Sequence, residues 1–139
     1  PGGEGGAACV RLALEASGVR PEEVDYVNGH GTGTQKGDAL ECAAFHAVFG
    51  EHASRIPMSS LKGATGHMMG AGGITESIAC ILAIREGILP PTLHYANPDP
   101  DCAIDCVPNV PRKAEIRIAV NNAFGFGGQN ASLIFGRYD

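Results

Sequence analysis

The sequence predicts an α/β fold, layered, with a mixed β-sheet and a buried helix. Three observations predict it. Two strand–helix alternations run from residue 24 to residue 86, the second helix is apolar almost all round, and a pair of strands follows near the end. With 139 residues, 44% hydrophobic and 18% charged, the chain has the size and composition of a single globular domain, here taken as 1–139.

The elements follow in order. Residues 7–17 form a helix on an apolar side of Ala7, Ala8, Leu12 and Leu14, stopped by Gly18. Val24–Val27 is a short buried strand ending at Asn28-Gly29. Asp38 opens a second helix, with Glu41 three residues on as in a capping box; Leu40, Ala43, Ala44, Ala47 and Val48 line one face, and Gly50 ends it. Ile56–Ser60 is a second strand. The third helix spans residues 71–86, and its apolar residues Ile74, Ile78, Ala79, Ile81, Leu82 and Ile84 place it inside the layers. Six of the nine prolines fall between Pro90 and Pro111, an irregular connection. Ile116–Val120 alternates as a strand and pairs with residues 131–135.

Composition narrows function. A net charge of −5, with no basic run longer than Arg112-Lys113, excludes a phosphate-neutralising face, so nucleic acid is not an expected partner. No apolar run reaches the roughly 20 residues of a membrane span, and none is expected. Five cysteines without a secretion signal read as reduced thiols, and the expected location is cytoplasmic or an organelle matrix. Cys42 and His46 sit at i, i+4, but no third and fourth ligand follow at zinc spacing; Cys102 and Cys106 have the same deficit, so no metal is expected. His46, His52 and His94 are read as structural.

The candidate chemistry lies in three segments after strands, 28–38, 60–73 and 121–130. Twelve of the 20 glycines fall in or beside them. In the first, glycines flank His30, and Thr32 and Thr34 add two hydroxyls suited to a polar, chain-like ligand. The bland alternative is a surface histidine in a turn; neither phosphate-loop pattern is present. In the second, Lys62 and His67 precede the apolar helix, whose Glu76 needs a partner, and Lys62 is the nearest candidate. In the third, Phe124 and Phe126 alternate with glycines, either as a swinging aromatic gate or as caps on the core.

Together, NGHGTGTQKGD (28–38), SSLKGATGHMMGAGGITE (59–76) and NNAFGFGGQNASLIF (121–135) resemble the C-terminal half of the β-ketoacyl synthases of the thiolase-like fold, nearest the 3-oxoacyl-acyl-carrier-protein synthase II type. PEEVDYVN, LPPTLHYANPD and CAIDCVP match in style, so the resemblance covers nearly the whole chain. Departures are Gly29 for Ala, Leu61 and Gly63 beside Lys62 for Thr and Ser, and Gln129 for Thr.

The resemblance implies a decarboxylative Claisen condensation of an acyl thioester with a malonyl thioester in fatty acid biosynthesis. His30 and His67 would donate hydrogen bonds to the enolate oxygen, Lys62 would position the second histidine, and Glu76 would partner Lys62. Thr32 and Thr34 would contact a phosphopantetheine arm; Phe124 would gate and offer its N–H, and Phe126 would line the substrate site. It implies no resident cofactor, the phosphopantetheine of an acyl carrier protein being the substrate carrier. The implied partners are acyl carrier protein, an N-terminal half carrying the nucleophilic cysteine, and a second copy in a homodimer. Cys9, Cys42 and Cys80 fall inside helices and Cys102 and Cys106 in the proline-rich segment, so none matches that nucleophile, and the isolated chain is expected to be inactive. The alternatives are a non-catalytic, chain-length-factor-like or carrier-binding partner, and a ketosynthase domain of a polyketide synthase.

Overall fold

The computed structural model describes residues 2–138; Pro1 and Asp139, the ends of the 1–139 domain, lie outside the described residues. Helix α1 is Glu4–Ser17, strand β1 Tyr26–Asn28, helix α2 Gln35–Phe49 and strand β2 Met58–Ser59. A one-turn helix α3, Lys62–Thr65, precedes α4, Gly72–Glu86. The two-residue strands β3 (Ile88–Leu89) and β4 (Arg112–Lys113) bracket the proline-rich segment, and β5 (Ile118–Phe124) and β6 (Asn130–Gly136) end the fold.

The main sheet has the order β2-β1-β5-β6, with β1 parallel to both β2 and β5, and β6 antiparallel to β5. It is therefore mixed. Alternation along its strands sorts side chains to two faces. Val27 and Val120 face one core with Val10 and Leu14 of α1 and Phe45 and Phe49 of α2. Tyr26 and Ala119, one residue earlier on each strand, face the other core with Cys80 and Ala83 of α4. Three layers result: α1 and α2, the sheet, and α4. Among the described residues no helix is long and apolar enough to cross a membrane.

Four details depart from the expectations. Helix α2 begins at Gln35, not Asp38, with Thr34 in extended backbone at its N-cap. The Asp38–Glu41 capping box does not form, because both carboxylates serve the preceding loop instead. The strand expected at 116–120 runs to Phe124, because β6 pairs with it as far as Phe124↔Asn130. The proline-rich connection contains one ordered strand pair, Ile88↔Lys113 and Leu89↔Arg112.

The fourth concerns α4, which is buried on one side only. Glu76, Ser77, Cys80 and Ala83 face the sheet, whereas Ile74 and Ile78 are 63% and 51% exposed and Ile81 and Leu82 are exposed beside them. Small and polar residues thus let the helix approach the sheet closely, and the large aliphatics occupy the opposite face.

Candidate active site

Asn28 of β1 registers with Ser59 of β2 and with Asn121 of β5, so β1 and β2 end level with one another while β5 runs on three residues to Phe124. Buried polar groups lock this edge. Asn28 Nδ2 donates to Asn121 Oδ1 at 2.9 Å, and Asn121 Nδ2 donates to Ser77 Oγ and Gly73 O of α4, each at 3.0 Å. Tyr26 Oη and Ser59 Oγ are 2.9 Å apart, and Ser59 Oγ donates to Pro90 O at 2.6 Å.

His30 stands on the first loop. Its backbone N–H and that of Gly31 donate to the two oxygens of the Glu41 carboxylate, both at 2.7 Å. Asp38, one turn earlier on α2, accepts the Gly33 N–H at 3.2 Å. Gly31 holds a φ of +35°, and a Cβ there would come within 2.6 Å of Ser60 Cβ; Ser60 Oγ instead donates to Gly31 O at 2.8 Å. That close approach requires glycine.

The loop brings His30 to within 5.6 Å of His67, centroid to centroid, the rings nearly perpendicular at 83°. The Phe124 ring lies 6.2 Å from His30, tilted by 52°. Burial first, then the charge of Lys62 and the neighbouring His67, push the His30 pKa down to about 4. His30 is therefore a neutral imidazole at neutral pH. His67 is exposed; its Nδ1 accepts the Met69 N–H at 3.2 Å, which puts the ring proton on Nε2.

Lys62 and Glu76 meet beneath the histidines. Lys62 Nζ lies 2.5 Å from Glu76 Oε1, and the two side chains are only 8% and 4% exposed. Removing either member of a buried pair this close leaves the other unpaired.

The remaining candidates are less closely gathered. Thr32 and Thr34 bring their hydroxyls 3.2 Å apart at the exposed start of α2. A cavity of about 680 Å³ is lined by Thr32, Lys62, His67, Cys42 and Cys102, and a second of about 180 Å³ by His30, Thr32 and Phe124. Thr34 lines neither. Phe126, expected to line the substrate site, is fully exposed on the turn closed by the Gly125 N–H donating to Gln129 O at 2.9 Å. Gly127 and Gly128 take positive φ there.

Two thiols inside the helices are held protonated. Burial pushes Cys42 well above the ordinary thiol range and Cys80 up to about 12, and Cys80 Sγ donates to Val120 O at 3.9 Å.

The sequence reading missed the role of Glu41. Its signal was present as an acidic residue on the apolar stripe of α2, but it was assigned to the helix terminus.

What these parts make is a pair of adjacent imidazoles, one neutral and one of fixed tautomer, over a buried ion pair and beside an aromatic ring. The chain belongs to the β-ketoacyl synthases: the family described as beta-ketoacyl synthase, C-terminal domain, matches residues 1–96. It is 51% identical, over 98% of its length and 32% of the relative's, to the 3-oxoacyl-[acyl-carrier-protein] synthase 2 of Rhizobium meliloti (strain 1021). It is 47% identical to nodulation protein E of Rhizobium meliloti, over 97% of this chain and 34% of that one. Among solved structures it superposes, with a TM-score of 0.93 and 36% identity over 96% of this chain and 33% of the other, on a type II polyketide ketosynthase in complex with its acyl-carrier protein. The fold is thus thiolase-like. The chain spans about a third of the length of the curated relatives it matches.

Proposed function

We propose that residues 1–139 are the C-terminal domain of a 3-oxoacyl-[acyl-carrier-protein] synthase, and that His30 and His67 stabilise the enolate formed when a malonyl thioester loses CO₂. The observation that carries this is the placement of the two rings 5.6 Å apart, with His30 neutral and the His67 proton on Nε2.

The chemistry follows from those states. Breaking the bond to the malonyl carboxylate releases CO₂ and leaves its electron pair in the enolate, with charge on the thioester oxygen. That oxygen accepts N–H groups from the two imidazoles, which are aimed before the charge develops. A neutral imidazole donates without surrendering its proton, so the enolate carbon stays nucleophilic. It attacks the carbonyl of an acyl thioester, a C–C bond forms, the C–S bond breaks, and the thiolate is returned. Burial keeps His30 unprotonated, and the positive charge of Lys62, which is paired with Glu76, adds to that effect. The nucleophilic cysteine comes, in this reading, from the remainder of a protein about three times as long.

The same reading makes acyl carrier protein the partner, its phosphopantetheine arm passing Thr32 and Thr34, with no resident cofactor. Phe124, beside His30, serves as the gate, and Phe126, exposed on its turn, lines the substrate site. A homodimer and a cytoplasmic or organelle-matrix location belong to the same proposal, and fatty acid synthesis is its pathway class. A polyketide ketosynthase is the second reading, favoured by the superposition on one bound to its carrier protein. The test is condensation in the longer protein with a fatty acid acyl carrier protein and with a polyketide carrier protein. Turnover with the first supports the proposal, and turnover with the second alone supports the other reading.

A further inference from the structure

The two imidazoles ride on different loops, His30 after β1 and His67 beyond α3, and their separation depends on what joins those loops. Among the described residues one hydrogen bond joins residues 30–38 to residues 60–71: Ser60 Oγ donates to Gly31 O at 2.8 Å. The same hydroxyl accepts the Lys62 N–H at 3.3 Å, so it also closes the turn into α3. A hydroxyl does both because it carries one proton and two lone pairs. The bare Cα of Gly31 allows the approach, since a Cβ there would lie 2.6 Å from Ser60 Cβ. We propose that Ser60 is a positioning residue, whose hydroxyl sets the spacing of His30 and His67 by tying the first loop to the Lys62 turn. Its effect on rate rests on the enolate reading; its effect on spacing does not.

The hydroxyl is separable from the fold. Ser60 is also held by its backbone, whose N–H donates to Thr92 Oγ1 at 3.1 Å. Thr92 is itself anchored, its N–H donating to Val107 O at 3.0 Å and its carbonyl accepting the Asn109 N–H at 2.9 Å. Removing the side-chain oxygen leaves these bonds in place and frees Gly31 O and the Lys62 N–H. Both residues border the larger cavity, so water can take up the lost bonds. Glu41 still holds the His30 and Gly31 N–H groups from α2, so the loop shifts rather than unfolds. A misplacement of about 1 Å can cost about 10²-fold in rate.

The experiment uses the longer protein, perdeuterated with protonated histidine, as the parent, Ser60→Ala and Ser60→Thr. The parent should show an NMR cross-peak between the His30 and His67 ring protons, assigned by its loss in His30→Ala, since the ring centroids are 5.6 Å apart. Ser60→Ala should lose most of that cross-peak. It should also lower kcat for decarboxylation of malonyl-acyl carrier protein roughly 10–100-fold, with KM and melting temperature near the parent's. Ser60→Thr, which keeps the hydroxyl, should retain both the cross-peak and the rate. A parental cross-peak in Ser60→Ala, or equal losses in Ser60→Ala and Ser60→Thr, would overturn the proposal. So would a melting temperature that falls with the rate, which makes the hydroxyl structural. Near-parental decarboxylation by His30→Ala would instead remove the enolate reading, and the cross-peak would still decide the role of Ser60.

Discussion

The carboxylate of Glu41 accepts the backbone N–H of His30 at 2.7 Å, and its second oxygen takes the neighbouring Gly31 N–H at the same distance. A residue on α2 therefore sets the position of an imidazole eleven residues earlier. Glu41→Ala leaves two part-buried backbone donors unpaired, at about 1–3 kcal/mol each. The expected outcome is a loss of roughly 2–6 kcal/mol in chemical denaturation. Glu41→Gln, which keeps one acceptor oxygen, should lose about half as much. Equal stability of the parent and the alanine variant would remove this role.

His30 gives a pH signature. Its folded pKa, about 4, lies below its ordinary value of 6.5, so the folded state binds fewer protons than the unfolded between those values. The His30 contribution to stability is complete above pH 6.5 and is lost as pH falls toward 4. An NMR titration of the His30 ring should show a midpoint well under 6.5. Lys62→Met with Glu76→Gln removes the Lys62 charge without orphaning a carboxylate, and the midpoint should rise.

The Lys62–Glu76 pair can be tested by a double-mutant cycle. Lys62→Met alone strands the Glu76 carboxylate in a site where it is 4% exposed, and about 3–5 kcal/mol should be lost. Lys62→Met with Glu76→Leu should recover most of that stability in urea unfolding while decarboxylation stays impaired. Recovery of both together would make the pair purely structural.

Gly6 packs against the Phe124 ring. A Cβ on Gly6 would lie 3.2 Å from Phe124 Cζ and 3.3 Å from Cε2. Gly→Ala within a helix ordinarily stabilises by about 1 kcal/mol. Gly6→Ala should therefore melt no lower than the parent and yet turn over more slowly, because the Phe124 ring beside His30 must shift. Combining it with Phe124→Leu should abolish the effect of the alanine; an unchanged effect would place its cause elsewhere.

Much of this is legible because the motifs carry glycine where β1 and β2 end beside β5. Asn28, Ser59 and Asn121 sit in register, so segments far apart in sequence arrive at one edge. What escaped did so for physical reasons. Asn121 and Asn122 are buried in β5, and Asn121 is held there by Asn28, Gly73 and Ser77. A hydrophobic-alternation reading ends the strand early at such residues. Glu41 three residues after Asp38 fits a capping box in one dimension, and only the folded-back loop shows that the carboxylates hold Gly33 and His30 instead. The apolar circumference of α4 matched burial, but the sheet takes only its Glu76, Ser77, Cys80 and Ala83 face.

The most direct measurement is decarboxylation of malonyl-acyl carrier protein by the longer protein, comparing the parent with His30→Ala and His67→Ala. Removing one preorganised donor costs on the order of 10²–10³ in rate. Each variant should fall by roughly that factor, with its melting temperature little changed. Near-parental decarboxylation by either folded variant would contradict the assignment of the paired imidazoles to the enolate.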